Sequence, residues 1–314
     1  MGKTIAIAMN TFKEAVRNRI LYILLIFALI IMASSGILGE LTISARDRII
    51  KDLGIASINF FGVLIAIFVG IGLVYNELDK KTIYTIVTKP IHRRQFLIGK
   101  YLGLLLTIYV NMLIMTFFFL AVIHYQNYMD DETMLKALWK PNAAGQYLQP
   151  GFFDYAWYYI SSVFMSAFKS LATFTLLYNP EITRNILKIV FYGCLELGII
   201  TGFAILYSSF STPTLSAIFT VLTFVIGRLN ADIIIFADRM KEKGLLTMGA
   251  KIRYNLSWIA AHVTPNLWLF DKRNAVAEDA PLLSIDPYAL IYFLFYTGAV
   301  LYMAVMIFRR RNFK

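Results

Sequence analysis

Residue patterns that would support enzyme chemistry are nearly absent from this sequence. A nucleotide-hydrolysing loop ends in Gly-Lys-Ser or Gly-Lys-Thr. Gly2-Lys3-Thr4 lacks the upstream residues for that loop, and Gly99-Lys100-Tyr101 has the wrong third residue. The sequence also contains no Gly-x-Ser-x-Gly nucleophile motif. We therefore predict that the chain is not an enzyme, with an intramembrane hydrolase or transferase as the minor alternative.

Metal-binding and disulfide chemistry are equally poorly supported. Cys194 is the single cysteine and lies in an apolar stretch, so we expect no disulfide and no cysteine metal cluster. His92, His124 and His262 are far apart in the sequence, which disfavours a shared metal site. We predict neither a metal nor a cofactor in this chain.

Glu196 is the acidic residue nearest the middle of a long apolar segment. A carboxylate inside a membrane is costly and usually faces a bundle interior, a partner or a water-filled path. Either Glu196 lines a translocation path with Asn111, or it is structural and hydrogen-bonds a neighbouring helix through a residue such as Asn111. Near the end of a later apolar segment, Arg228, Asn230 and Asp232 either line an exit or form a snorkelling end cluster.

A charged segment from Asn76 to Gly103 separates two long apolar stretches. Within it, Ile83, Ile86 and Val87 have the spacing of one helix face. Pro90 ends that helix because the residue before a proline is pushed out of the α region. A water-facing helix with a small apolar stripe is suited to binding a soluble partner. The alternative is an interfacial loop that rests on lipid headgroups.

The composition indicates a polytopic membrane protein. Of the 314 residues, 59% are hydrophobic and 16% are charged, which is too apolar for a soluble domain. The formal charge of +11 is accounted for by residues 1–19, 75–100 and 309–314, as expected if these segments face the cytoplasm. No nucleic-acid partner is needed to explain it.

Six segments are long and apolar enough to cross a bilayer core, which takes about 20 residues. They are Ile20–Leu38, Ile55–Tyr75, Phe96–Ile123, Ile186–Tyr207, Leu215–Phe236 and Tyr288–Phe308. With an even number of spans both termini share one side, and the basic tail makes that side cytoplasmic. We predict an all-α protein with six transmembrane helices, multi-pass in the inner membrane, forming one domain over residues 1–314.

The segments outside these spans also have predicted roles. Residues 1–19 form an amphipathic helix in the membrane interface, and residues 76–95 form the cytoplasmic segment. Residues 124–185 and 238–286 form extracytoplasmic loops with helical parts, and Glu40–Gly54 is a short outer loop. The apolar side of the first helix contains Ile5, Met9, Phe12 and Val16.

The run Gly151–Tyr178 is long enough to be a seventh span. Lys169 would then lie within the bilayer at a cost of a few kcal/mol. An odd number of spans would also place one basic terminus outside, against the charge rule. We interpret the run as an outer amphipathic helix, with a seventh span as the alternative.

The segment from Glu77 to Gly103 resembles the permeases of type-two ATP-binding-cassette (ABC) transporters, in the group of exporters and multi-copper-maturation or gliding-type permeases. The resemblance rests on a Glu soon after a span, the run Thr-Ile-Tyr-Thr-Ile-Val-Thr-Lys-Pro-Ile, a basic pair and Phe-Leu-x-Gly-Lys-Tyr-Leu-Gly. Looser similarity extends over most of the chain. In that family the segment is the coupling helix that docks into a cytoplasmic ATPase.

The resemblance implies that ATP and Mg are bound by a separate dimeric ABC ATPase in the cytoplasm. This chain would pair with a second permease subunit, identical or related, and export a substrate that the sequence does not identify. The residues that match the coupling motif are Glu77, Ile83, Tyr84, Ile86, Val87, Lys89, Pro90, Arg93 and Arg94.

A second class of function stays open at this point. The two long outer loops would suit a non-transporting membrane module that passes ATPase motion to a periplasmic accessory protein. Transport by the permease and its ATPase alone would distinguish the first class from the second.

Overall fold

The computed structural model of the protein describes residues 2–40, 46–79, 92–129, 180–242, 248–272 and 285–310. Within these ranges the chain is helical and contains no strand, so the predicted all-α fold is confirmed. The helices are α1 (Gly2–Val16), α2 (Arg19–Glu40), α3 (Arg46–Asp79), α4 (Arg93–Met129), α5 (Pro180–Ser208), α6 (Pro213–Arg228), α7 (Asn230–Glu242), α8 (Met248–Val263) and α9 (Pro287–Arg310), with a 3-10 turn at Leu267–Phe270.

Five helices of the described ranges are long and apolar enough to cross a membrane: α2, α3, α4, α5 and α9. They correspond to the predicted spans one to four and six. The bent pair α6 and α7 makes a sixth candidate. Hydrocarbon offers no hydrogen-bond partners, so apolar segments of this length satisfy their backbone groups as helices. On α2, Phe27 and Ile30 are 56% and 57% exposed, as expected for side chains that face lipid.

α1 and α2 are separate helices because the chain breaks at Asn18. The Asn18 Oδ1 accepts a hydrogen bond from the backbone N–H of Ile20 at 3.0 Å. Asparagine therefore caps the N-terminus of α2, as this residue type commonly does.

The side of α1 that packs on the bundle is not its predicted apolar side. Thr11 and Ala15 are the buried residues of this helix. Ile5 and Met9 of the predicted apolar side remain 61% and 46% exposed. The small residues thus contact the protein, and the large apolar ones are left for a membrane interface.

Two helices begin earlier than predicted. α3 begins at Arg46, so most of the predicted loop Glu40–Gly54 is helical, and Ile50 in this extension is buried. α5 begins at Pro180, inside the predicted loop 124–185. Both early parts contain charged residues, which lower the local hydropathy, so hydropathy alone placed these boundaries too late.

α5 is the central helix of the bundle and packs against α3, α4, α6 and α9. Gly198 permits one of these approaches, since a methyl group there would lie 2.6 Å from the ring of Phe293 on α9. The Tyr101 hydroxyl of α4 donates to the Gly198 carbonyl at 3.3 Å. Position 198 is therefore where α4, α5 and α9 come together.

One end of the bundle collects basic residues. α4 begins there with Arg94 exposed, and α9 ends there with Arg309 and Arg310 exposed. The rings of Phe96 and Phe308 stack with centroids 6.1 Å apart and join the two helices. We call this the basic end, and the end where α3, α5 and α9 begin the opposite end.

The fifth predicted span, Leu215–Phe236, is not one helix, which corrects the sequence prediction. α6 and α7 meet at a bend of 60°. Leu229, between them, has φ −83° and ψ 3° and leaves the α-helical conformation. We call this bend the elbow.

Several predicted features lie outside the described residues. They are the run Gly151–Tyr178 and the centre of the charged segment, residues 80–91.

Candidate functional site

Glu196 lies on α5 and is only 2% exposed. Its carboxylate is paired with Arg228 at the end of α6. The Arg228 Nη2 donates to Glu196 Oε2 at 2.8 Å, and the Arg228 Nε lies 2.7 Å from Oε1. One of these contacts is a charge-assisted hydrogen bond and the other is a close ion-pair contact, so the guanidinium touches both oxygens of the carboxylate.

Arg228 also binds a second carboxylate. Its Nη1 donates to Asp271 Oδ2 at 2.5 Å, directly after the 3-10 turn. The side chains of Arg228 and Asp271 are 16% and 20% exposed. Two carboxylates thus share one guanidinium, and we call Glu196, Arg228 and Asp271 the ion triad.

The elbow brings Arg228 to this position. Gly227 precedes it, and a methyl group on that residue would lie 2.8 Å from the carbonyl oxygen of Pro265 and 2.9 Å from a Leu267 side-chain carbon. A glycine is therefore needed for the backbone of residues 265–267 to approach α6. The same approach carries Asp271 to the guanidinium.

The polar residues beside Arg228 do not form an exposed end cluster. Asn230 is 1% exposed, and its Nδ2 donates to the carbonyl of Ala261 on α8 at 2.7 Å. Asp232 is the exposed member. Of the three, Arg228 and Asn230 point into the protein, so the snorkelling interpretation does not describe them.

The side-chain amide of Asn111 bonds within its own helix and not to Glu196. It is buried on α4, and its Nδ2 donates to the carbonyl of Thr107 in the same helix at 2.8 Å. The neighbouring helix that binds Glu196 is α6, through Arg228. A role of Asn111 in a translocation path stays a prediction.

A row of hydroxyl groups lies between α5 and α6. Tyr207 and Thr223 share a hydrogen bond of 2.8 Å, and Ser211 and Ser216 share one of 2.7 Å near the basic end. The buried residues of α6 are Ser216, Thr220, Thr223 and Gly227. This hydroxyl seam leads along α6 from the basic end toward the ion triad.

The basic end contains a second buried charge. Lys100 is 2% exposed, and its Nζ lies 3.6 Å from Glu14 Oε2 of α1. Glycines on both sides of Lys100 let α1 approach α4: a methyl group on Gly99 would lie 2.8 Å from Ile7, and one on Gly103 would lie 2.4 Å from the Ala8 carbonyl oxygen. The motif that suggested the family therefore also forms the docking surface for α1.

Most of the predicted coupling residues lie in a part of the chain that the structure does not describe, and the other three flank it. Glu77 belongs to the last turn of α3, Arg93 begins α4, and Arg94 is exposed. Outside the described residues are Ile83, Tyr84, Ile86, Val87, Lys89 and Pro90.

Asp271 was missed at the sequence level. It follows the aromatic run 254–270 in a segment that was predicted to be an outer loop. No spacing rule connects it with Glu196 or Arg228, which lie 75 and 43 positions earlier in the chain. A charged residue directly after a strongly apolar run was the one available signal.

The ion triad is suited to conformational or binding work rather than to bond chemistry. It joins two helices, α5 and α6, and a turn through charge-assisted hydrogen bonds. Among the described residues no group of His, Cys, Asp and Glu could hold a metal ion.

The whole-chain comparison agrees with the arrangement of spans. A protein-family match to "ABC-2 family transporter protein" covers residues 5–313. A search of curated proteins found no significant match. The family match covers nearly the whole sequence and supports the resemblance that was inferred from the charged segment. The chain therefore belongs to the ABC-2 family of transporter proteins and is a multi-pass membrane permease subunit of an ABC transporter.

Proposed function

We propose that this permease exports its substrate by using ATP hydrolysis in a separate cytoplasmic ABC ATPase dimer, to which it couples through residues 76–95. The observation that carries the proposal is the position of that segment. α3 ends at Asp79 and α4 begins at Arg93, and the two helices are antiparallel neighbours. The coupling segment therefore connects α3 with α4 at the basic end, where the charge rule places the cytoplasm.

Force applied to the coupling segment would reach three helices directly. α3 and α4 are continuous with it, and α1 is held to α4 at Gly99 and Gly103. α5 packs against both α3 and α4. Closure of the ATPase dimer would thus shift these helices together and move the permease between two states, as alternating access requires.

The proposed assembly contains a second permease subunit, identical or related. Large apolar side chains are exposed along α2, α6 and α9, and these surfaces are available for lipid or for that subunit. A non-transporting module with a periplasmic accessory protein is the rival proposal.

Val87→Glu tests the coupling assignment. A charge placed in the docking groove without a partner costs several kcal/mol. We expect the ATPase to be lost on co-purification while the permease still inserts in the membrane. Thr85→Glu, on another face of the same predicted helix, is the matched control and should retain the ATPase. Retention of the ATPase by Val87→Glu at the control's yield would contradict the assignment.

Reconstitution separates the export proposal from its rival. A transporter moves substrate across a liposome with its ATPase alone, whereas a transmitter hydrolyses ATP and moves nothing until the accessory protein is added. A requirement for that protein would favour the rival.

A further inference from the structure

α8 has an apolar side that no described part of the protein covers. Five large apolar residues share this side, and each is more than half exposed. We call them the α8 stripe: Met248, Ile252, Leu256, Ile259 and Val263. Their spacing of three or four residues places them on one face of a helix, and the buried Ala261 lies on the other. We propose that the α8 stripe, with Lys251 and Arg253 beside it, binds an anionic phospholipid of the membrane leaflet at the opposite end.

One end of α8 lies within the depth of the membrane spans. The Asn230 Nδ2 at the start of α7 donates to the Ala261 carbonyl near the end of α8, so these two packed helices are antiparallel. The Val263 carbonyl accepts a hydrogen bond of 3.2 Å from the Tyr296 hydroxyl. Tyr296 lies about 14 Å along α9 from Pro287, where that helix begins. The last turn of α8 is therefore at acyl-chain depth.

The other end of α8 lies nearer the membrane surface. α7 turns by 60° from α6 at the elbow and so still advances toward the opposite end by about half its length. Because α8 is antiparallel to α7, its first turns are farther out than its last. Lys251 and Arg253 are thus on the outer side of Leu256, Ile259 and Val263. A phospholipid has the same order, with its phosphate outside its acyl chains.

The charge of α8 determines which headgroup it attracts. The helix contains no Asp or Glu, and Lys251 and Arg253 are both exposed. At 3.6 residues per turn the two residues fall on opposite flanks of the α8 stripe, as in helices that lie in a membrane interface. Trp258 is 50% exposed and is of the residue type that concentrates at this level. Since basic residues near a membrane surface attract anionic lipids, phosphatidylglycerol should be preferred over phosphatidylcholine.

A second copy of this chain is a poorer occupant of the same surface. A two-fold contact pairs each surface patch with its own copy. Such a contact through the α8 stripe would bring Lys251 and Arg253 of two chains together, and α8 supplies no acidic residue to pair with them. The lipid phosphate supplies that charge.

Local fluorescence quenching in the full-length protein tests the headgroup preference. A bimane label is placed on Asn255→Cys, beside the α8 stripe, in a Cys194→Ser background. Reconstituted protein is then quenched with phosphatidylglycerol or phosphatidylcholine that carries a nitroxide on an acyl chain. We expect phosphatidylglycerol to quench more strongly, and Lys251→Gln with Arg253→Gln to lower its relative local association by at least about fivefold.

The matched control removes two arginine or lysine charges from α7. Arg239→Gln with Lys241→Gln should retain the preference, because Asp238 and Glu242 adjoin those residues in the helix. Equal quenching by the two lipids in the parent protein, or an equal loss of preference in the two double variants, would overturn the proposal.

A nitroxide on Leu256→Cys, in the same background, reports what covers the α8 stripe. We expect frequent collisions with oxygen, which dissolves in acyl chains, and few with a water-soluble nickel complex. Few collisions with either reagent would show a protein occupant such as a second copy, and more with nickel than with oxygen would show water. Either result would overturn the proposal. Neither measurement needs the ATPase or a substrate, so failure of the export proposal would be seen separately.

Discussion

At the basic end of the bundle, Lys100 is buried beside a carboxylate that still reaches water, because Glu14 is 41% exposed. At the elbow, Arg228 is shared by Glu196 and Asp271, and no member of the triad exceeds 20% exposure. Both places bury a basic side chain in an apolar protein. The carboxylate that pairs with it is more exposed to water at the basic end than at the elbow.

The contacts that hold the helices together also differ between the basic end and the elbow. At the basic end, α1 packs closely on α4 at Gly99 and Gly103. The ion pair there adds to a contact that the glycines already make. At the elbow the charges themselves connect α5, α6 and Asp271, which follows the 3-10 turn. A screened pair contributes little to stability, whereas removing one partner of a desolvated group is costly. The elbow therefore depends on its charges and the basic end on its glycines.

Arg228→Gln should have the largest effect. It leaves two buried carboxylates without their cation, and we expect a loss of about 3–5 kcal/mol of stability. Thermal unfolding in detergent should show a much lower midpoint than for Arg94→Gln, which removes an exposed arginine from α4. Equal midpoints for the two variants would mean that the triad is not a stabilising network.

Gly103→Ala should come second. The added methyl group would lie 2.4 Å from the carbonyl oxygen of Ala8, a backbone atom that cannot move alone, so α1 must shift at a cost of about 1–3 kcal/mol. Gly298→Ala on α9 is the control, because a methyl group there has no atom within 4 Å. We expect proteolysis to release α1 faster in Gly103→Ala than in Gly298→Ala. Identical cleavage would show that the close approach does not hold α1.

Glu196→Gln and Asp271→Asn should separate the two halves of the triad. Glu196 is the more buried residue and makes the two-point contact, so its replacement should cost more, about 1–3 kcal/mol. Residues of one network couple, and the double variant should deviate from additivity by at least about 0.5 kcal/mol. Additive losses measured by chemical unfolding would indicate that Arg228 binds the carboxylates independently.

Glu14→Gln should have the smallest effect. Its carboxylate is partly exposed, and pairs of this type contribute about 0.2–1 kcal/mol. Any change in the unfolding midpoint should shrink as salt is raised, since exposed charges are screened. Lys13→Gln, beside it on the exposed side of α1, is the control. A loss as large as that of Arg228→Gln would remove the distinction between the two ends.

The sequence by itself determined the class of protein, five of the six spans and the basic end. Hydropathy and charge are sums over neighbouring residues, so about 20 apolar residues indicate a span wherever they occur. The motif from Glu77 to Gly103 also indicated the family that the whole-chain match supports. These properties are local, and local properties can be read in order along the chain.

The tertiary structure decided the elbow, the approach of residues 265–267 to α6 and the partners of Glu196. Arg228 is 32 positions from Glu196, and Asp271 is 43 positions from Arg228, so no helical period relates them. The predicted fifth span, Leu215–Phe236, contains no proline, and its apolar residues continue past the bend. The chain turns at Leu229, where Arg228 binds inward, Asn230 bonds to α8 and Gly227 admits the backbone of residues 265–267. Each of these contacts exists only when distant segments are already packed together.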